Sequence, residues 1–273
     1  SEVISIADGI DQIYVGGYVG RGNIAIPGLP YGILEGEVIR RDYGSLDGTD
    51  HTQVHWDDRT GYTPIVNANG GYQFLGYGVI GNPQPDFVYG VTNTLSYKWA
   101  TLRVQFDSQV GGDVFSTTNS TLLGRGILQE TDFDRFVPVV TNGLSADGTP
   151  NTTQTTANAH YWPNTGVFYD ENSIYDASVM RLREVSLSFV APKSFLNGTP
   201  FGNASLTLSA QNIWHYAWNT PSGTNFDPEV ISYGAGSNAR GFDEMTGPTA
   251  KKYGATLSPV SYTHLRAHET STY

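Results

Sequence analysis

The sequence predicts an all-β chain of antiparallel ribbons, and three observations carry that expectation. Apolar and polar residues alternate with a two-residue period over long stretches. The connections between those stretches alternate between a few residues and several dozen. Aromatic residues are plentiful, at 12% of the 273 positions with 17 Tyr, although the apolar fraction is only 38%, so the composition is not that of a disordered chain. Two architectures give such a pattern. In a membrane barrel the apolar row faces lipid and the polar row a wet lumen; in a soluble sandwich the apolar row packs on a second sheet. Periodicity alone leaves both open.

Taken in order, weaker strand patterns lie around Gln12–Val19 and Tyr31–Arg41. From Phe87 to Tyr97 the odd positions read Phe87, Tyr89, Val91, Asn93, Leu95 and Tyr97, against Val88, Gly90, Thr92, Thr94 and Ser96. After a break at Lys98-Trp99-Ala100, Leu102, Val104, Phe106 and Val110 oppose Arg103, Gln105, Asp107 and Gln109, which completes a hairpin. A second hairpin sets Val185, Leu187 and Phe189 against Glu184, Ser186 and Ser188. The short connection Pro192–Pro200 follows, and then Ala204, Leu206, Leu208, Ala210, Trp214 and Tyr216 alternate with polar residues. Upstream, Met180 and Leu182 fall out of phase, so a β-bulge is expected near Arg183. A last strand starts near Lys251. The segments Gly111–Ala177 and Asn219–Ala250 are long and polar, unusual as plain loops in a compact domain.

Short turns alternating with long loops are the habit of outer-membrane barrels, and strands of about 9–11 residues suit a tilted membrane strand. Hydrocarbon demands that every backbone polar group be paired, which only helices and closed barrels achieve. Asp86, Lys98, Arg103 and Asp107 all fall on the row opposite the apolar one; an Arg or Lys on the lipid row near the midplane would cost about 2–4 kcal/mol. Tyr97 and Trp99, and Trp214 and Tyr216, suit interfacial girdles.

The composition excludes other classes. The chain has no Cys, which removes disulfides, Cys zinc sites and Cys nucleophiles. A net charge of −11 argues against a nucleic-acid footprint. No run of 18 apolar residues offers a transmembrane helix. Ser1–Gly9 carries no Met, basic segment or apolar core, so the chain is expected to be a piece whose beginning lies elsewhere. At the other end, the string Val260-Ser-Tyr-Thr-His-Leu-Arg-Ala-His-Glu-Thr270 resembles a translated transposase-end sequencing adapter. Residues 260–273 are therefore expected to be a non-native tail, and 1–259 the native part. The pair His264 and His268 belongs to that tail and is not taken as a metal site.

Three blocks carry a family resemblance. The first is Ile80-Gly-Asn-Pro-Gln-Pro-Asp-Phe-Val-Tyr-Gly90, followed by Asn93–Lys98 and Gln109–Val114. The second is Tyr175-Asp-Ala-Ser-Val-Met-Arg-Leu-Arg-Glu-Val-Ser-Leu-Ser-Phe189 with Ala191–Phe195, and the third is Leu208-Ser-Ala-Gln-Asn-Ile213 with Phe226-Asp-Pro-Glu229. Over about residues 30–258 the chain resembles the C-terminal barrel of SusC/RagA-type TonB-dependent outer-membrane transporters. The resemblance implies an antiparallel transmembrane β-barrel of about 22 strands around a plug, of which this chain holds about seven or eight. The expected form is an incomplete, open, curved sheet with long extracellular loops. It also implies the cell outer membrane of a Bacteroidota-like bacterium, uptake of oligosaccharides or peptides, a SusD-like surface lipoprotein as partner, and TonB coupling through an N-terminal plug outside this chain.

Candidate substrate contacts are the loop aromatics Tyr161, Trp162, Trp214 and Trp218, because exposed rings can stack on sugars; packing, lipoprotein contact or an interfacial girdle are the alternatives. His51, His55, Asp57 and Asp58 are metal-ligand types, but their spacing favours solvated loop residues. Arg181, Arg183 and Glu184 are expected to make a cross-strand ion pair. No catalytic set and no cofactor site is expected. The competing functional reading is a secreted soluble β-sandwich that binds glycans, which requires the apolar rows to be covered.

Overall fold

In the computed structural model the described residues are 2–44, 56–164, 169–220, 223–224, 227–229, 238–245 and 247–261. The strands used below are β1 (Ile13–Tyr18), β2 (Arg21–Ala25), β3 (Ile33–Ile39), β4 (Phe74–Gly81), β5 (Phe87–Tyr97), β6 (Ala100–Val110), β7 (Asp113–Ser116), β8 (Ile174–Asp176), β9 (Val179–Val190), β10 (Phe201–Tyr216), β11 (Phe242–Asp243) and β12 (Lys252–Ser261). The helices are α1 (Thr117–Gly124), α2 (Ala157–Asn164) and α3 (Lys193–Leu196). The chain divides into two units, one of residues 1–88, 109–179 and 217–249, the other of 89–108, 180–216 and 250–273.

The second unit is a five-stranded sheet in the order β12-β10-β9-β6-β5. β5 and β6 are 11 residues each; β5 has the ends read from the alternation, whereas β6 starts at Ala100, inside the expected break and two residues before Leu102. They join through a two-residue turn in which Lys98 takes φ +53°, the left-handed geometry that a tight hairpin needs. The bulge expected near Arg183 is present. Leu182 pairs with Trp214 and Glu184 with Gln211, so Arg183 faces both Asn212 and Ile213. The extra residue therefore belongs to β10, and Asn212 absorbs it at φ +54°, a region Asn enters more readily than most side chains. The connection Pro192–Pro200 holds the short helix α3.

Registers extend the two-faced pattern across three strands. Apolar residues align as Val185–Ala210–Tyr253, Leu187–Leu208–Ala255 and Phe189–Leu206–Leu257. The intervening rows are small or polar: Ser186–Ser209–Gly254 and Ser188–Thr207–Thr256, with the Ser188 and Thr207 hydroxyls 2.9 Å apart. β12 continues through Val260 and Ser261, opposite Asn203 and Phe201. The strand thus runs two residues into the segment expected to be a tail; His264 and His268 lie outside the described residues.

The first unit contains the packed core. β1-β2-β3-β4 form an antiparallel sheet, and β8-β7-β11 a smaller one in which β11 runs parallel to β7. Leu34, Val38, Ile80, Phe115 and Phe242 form the core, flanked by Leu75 and Ile174; the Phe115 and Phe242 rings meet edge to face at 5.9 Å. The long segments 111–177 and 219–250 therefore supply core residues and their own strands and helices. Of the strands near the start, β1 and β3 match expectation, whereas β2 and β4 have no clear alternation. β2 buries Ile24 together with polar and small residues. Asn23 is fully buried, its amide donating to Gly32 O (2.7 Å) and Arg240 O (3.1 Å) while its Oδ1 accepts from Arg240 N (2.8 Å). At Gly22 a Cβ would come within 2.4 Å of Gly16 O, so the strands approach too closely for any side chain.

Two acidic neighbours fasten a distant turn to β3. Asp170 pairs with Arg21 and accepts from Glu37 N at 3.1 Å; Glu171 pairs with Arg41 and accepts from Ile39 N at 3.0 Å. Arg59 lies 3.8 Å from Glu171 and donates to Val79 O at 2.7 Å. Burial pushes the Asp170 carboxyl up, against the pull of Arg21, and lowers Arg59.

Candidate functional site

The apolar rows of the five-stranded sheet are uncovered. Phe87 is 54% exposed, Leu95 63%, Phe106 37%, Leu208 45% and Leu257 69%, and Val104 is half-buried. A sandwich would seal these side chains against a second sheet. Uncovered apolar side chains on four of the five strands mark a face for lipid or for another protein.

Aromatic pairs bracket the rows. At the short-turn end Trp99 packs on Phe189 with ring centroids 5.6 Å apart, and Trp99 O accepts from Val190 N. At the other end Trp214 stacks with Tyr216 at 6.5 Å. Phe189 pairs with Leu206, so the two levels are eight to ten residues apart along β10. That is about 26–33 Å of strand, or about 20–25 Å of height at a tilt of ~40°, against an apolar band of ~25 Å in membrane barrels.

One ion pair crosses the sheet at the bulge. Arg183 Nε donates to both Asp107 carboxylate oxygens (3.2 and 3.1 Å), Nη2 donates to Oδ2, and Nη1 donates to Asn212 Oδ1 at 3.3 Å. Asp107 comes from β6, Arg183 from β9 and Asn212 from β10, so this contact ties three adjacent strands at a fixed register. It meets the expectation for Arg183; Glu184 takes no part in it.

Of the four aromatic candidates, the structure places Tyr161 and Trp162 on α2 in the first unit, Trp214 within β10 of the second, and Trp218 just beyond β10. Helix α2 is preceded by Thr156, whose hydroxyl accepts from Ala159 N at 3.2 Å and caps its first turn. It is anchored by His160, with Nδ1 2.9 Å from Thr141 Oγ1. The Thr141 hydroxyl also donates to Gly70 O, and the Asn164 amide nitrogen lies 3.4 Å from the same His160 Nδ1; burial lowers the His160 pKa. This anchoring presents Tyr161 to Phe133, centroids 6.2 Å apart, and sets Arg125 over the Trp162 ring at 5.2 Å. Phe133, Arg125 and Arg135 were not flagged by the sequence. They come from an irregular stretch with no periodicity to mark them. A hollow of about 120 Å³ opens beside Tyr161.

His51 and His55 lie outside the described residues. Asp57 and Asp58 occupy a single turn, Trp56–Gly61, and among the described residues no group of three His, Cys, Asp or Glu is arranged to hold a metal ion. One carboxyl is strongly perturbed: burial pushes Asp113 up to about 6, with Asp57 and Asp176 adding to it and the Asn82 N–H opposing.

No family model matches the chain. TonB-dependent receptor P3 of Formosa agariphila is 28% identical over 160 residues, 54% of this chain and 14% of the receptor. TonB-dependent receptor P26 of the same organism is 27% identical over 182 residues, 63% of this chain and 17% of the receptor. This chain therefore spans about a sixth or less of either relative. Among solved structures, the RagAB peptide importer in its closed-closed state superposes with a TM-score of 0.54 at 17% identity, over 94% of this chain and 26% of that one. The open-open state gives 0.54 at 16% identity, over 96% and 25%. These likenesses establish the fold, that of a TonB-dependent transporter barrel left unclosed. In sequence the chain is thus similar to TonB-dependent receptors and in fold to the RagAB importer, a combination that fits a SusC/RagA-type fragment.

Proposed function

We propose that the chain is barrel wall and external loop structure of an outer-membrane importer, residues 1–259 being the native part. The importer takes up peptides or oligosaccharides beneath a SusD-like lipoprotein and is driven by the TonB complex through a plug carried elsewhere in the receptor. In this reading the second unit meets lipid and the first supplies loops on the substrate side. The segment is passive and has no catalytic role; energy coupling belongs to the plug. The observation that supports it most is the band of uncovered apolar residues between two aromatic levels on the five-stranded sheet.

The test is depth-dependent quenching. The intact receptor carrying this chain is reconstituted in bilayers whose acyl chains are brominated near the headgroup or near the centre, with Trp99 or Trp214 as the sole tryptophan of the segment. Both should be quenched best by the shallow bromine, the expected position of interfacial aromatics. Absence of quenching by either lipid at both positions rejects the lipid-facing assignment.

A further inference from the structure

We propose that the hollow beside Tyr161 is a side-chain subsite for a peptide, sized for one small aliphatic group. The proposal rests on the importer reading and narrows its substrate. Its apolar walls are Leu123 from the end of α1, Phe133 from the following loop, and Ala157 and Tyr161 from α2, with Thr131, Thr156 and Asn158 adding polar groups to the lining. The two rings lie 6.2 Å apart at 45°, in contact with each other, and make one continuous side of the hollow rather than a flat stacking platform. The volume, about 120 Å³, is somewhat below that of a cavity of ~150 Å³ that holds benzene. A valine or leucine side chain suits it; a pyranose, with several times as many heavy atoms and hydroxyls around its rim, does not.

The rim carries one positive charge. Arg135 donates from Nη2 to Gly126 O. Gly126 adopts φ +68°, and a Cβ there would lie 2.3 Å from the guanidinium. Glycine thus lets the guanidinium lie flat against the backbone, held at the mouth of the hollow. A pinned guanidinium beside an apolar hollow complements a ligand that offers an oxygen acceptor a few ångströms from an aliphatic group. A peptide residue has that form, with its carbonyl or terminal carboxylate next to its side chain. Sugars stack best on open aromatic faces, and none is offered inside this hollow.

Isothermal titration of the intact receptor in detergent tests this with three probes: a Gly/Ser octapeptide, the same peptide with one central Leu, and maltohexaose. The Leu peptide should bind at least about tenfold more tightly than its Gly/Ser parent, as expected for an aliphatic group in a fitted pocket. Ala157→Leu, which fills the hollow, should erase that difference without weakening the parent peptide, and Arg135→Gln should weaken both peptides. If Ala157→Leu fails to fold, Tyr161→Ala, which opens the wall, should also shrink the difference. Equal affinities of the native receptor for the two peptides overturn the subsite. Binding of maltohexaose with no peptide bound overturns it as well, while quenching of Trp99 in bilayers would still stand for the importer reading; loss of that quenching marks failure of the importer reading itself.

Discussion

Replacing Asp113 by Asn should stabilise the first unit at neutral pH and leave it nearly unchanged in acid. Asp113 opens β7. Its Oδ2 accepts from Asn82 N at 2.7 Å, and its own N–H donates to Asn82 O at 2.7 Å. Gly81 lies against the carboxyl, since a Cβ there would stand 2.8 Å from Oδ2. Burial is the main cause of the rise from 3.8 to about 6. That is about two pH units at about 1.4 kcal/mol each, or roughly 3 kcal/mol at most. A raised carboxyl pKa means the folded state binds the proton more tightly than the unfolded one. Stability therefore falls as pH rises through about 4 to 6, and the full cost is present above that window. Asparagine keeps an acceptor for Asn82 N–H and carries no charge. Amide hydrogen exchange at Asn82 and Phe115, comparing variant with native protein at the same pH, should show the variant more protected by about 1–3 kcal/mol at pH 7.5 and equal within ~0.5 kcal/mol at pH 4. Equal protection at both pH values, or a variant less protected at pH 7.5, would refute the assignment of a charged, desolvated Asp113.

Other consequences are open to measurement. Leu208→Arg places a charge on the apolar row and should cost about 2–4 kcal/mol of folding into bilayers, whereas Thr207→Arg on the other face should cost well under half of that; equal costs would contradict the face assignment. Arg183→Met leaves the half-exposed Asp107 carboxylate without its fork and should cost about 1–2 kcal/mol, relieved by adding Asp107→Asn in a double-mutant cycle, while Arg183→Lys should restore little because it lacks the planar geometry. Asp170→Ala strips partners from Arg21 and from Glu37 N. It should cost about 1–3 kcal/mol and speed proteolysis in the first unit, since a buried carboxylate that holds a partly exposed Arg and a backbone N–H is lost; unaltered proteolysis would show that the turn is held by other contacts.

How much of this was legible in advance depended on the range of the interactions involved. The Lys98-Trp99 turn was legible because two adjacent runs of period two must reverse within a few residues. The bulge was legible as a phase error at Arg183, but which of the two paired strands carries the extra residue was not, since a slip in pairing looks the same from either partner. Tyr161 and Trp162 were picked out as exposed ring types. Their partners Phe133, Arg125 and Arg135 were not, because nothing local in an irregular stretch marks where a side chain will land.

By itself, the sequence determined the wall on the turn side of the bulge: the apolar row of Val185, Leu187 and Phe189 against Ala204, Leu206, Leu208 and Ala210, and the heights at which the aromatic residues fall. Those properties follow from the alternation of side chains along an extended backbone, which any reader of period two recovers. Only the tertiary structure decided that the polar segments between the hairpins form a packed body. Phe115, Phe242 and Ile174 are isolated apolar residues in Gly-, Asn- and Thr-rich surroundings. Each becomes a core residue through contacts far along the chain, and such contacts leave no period in the sequence.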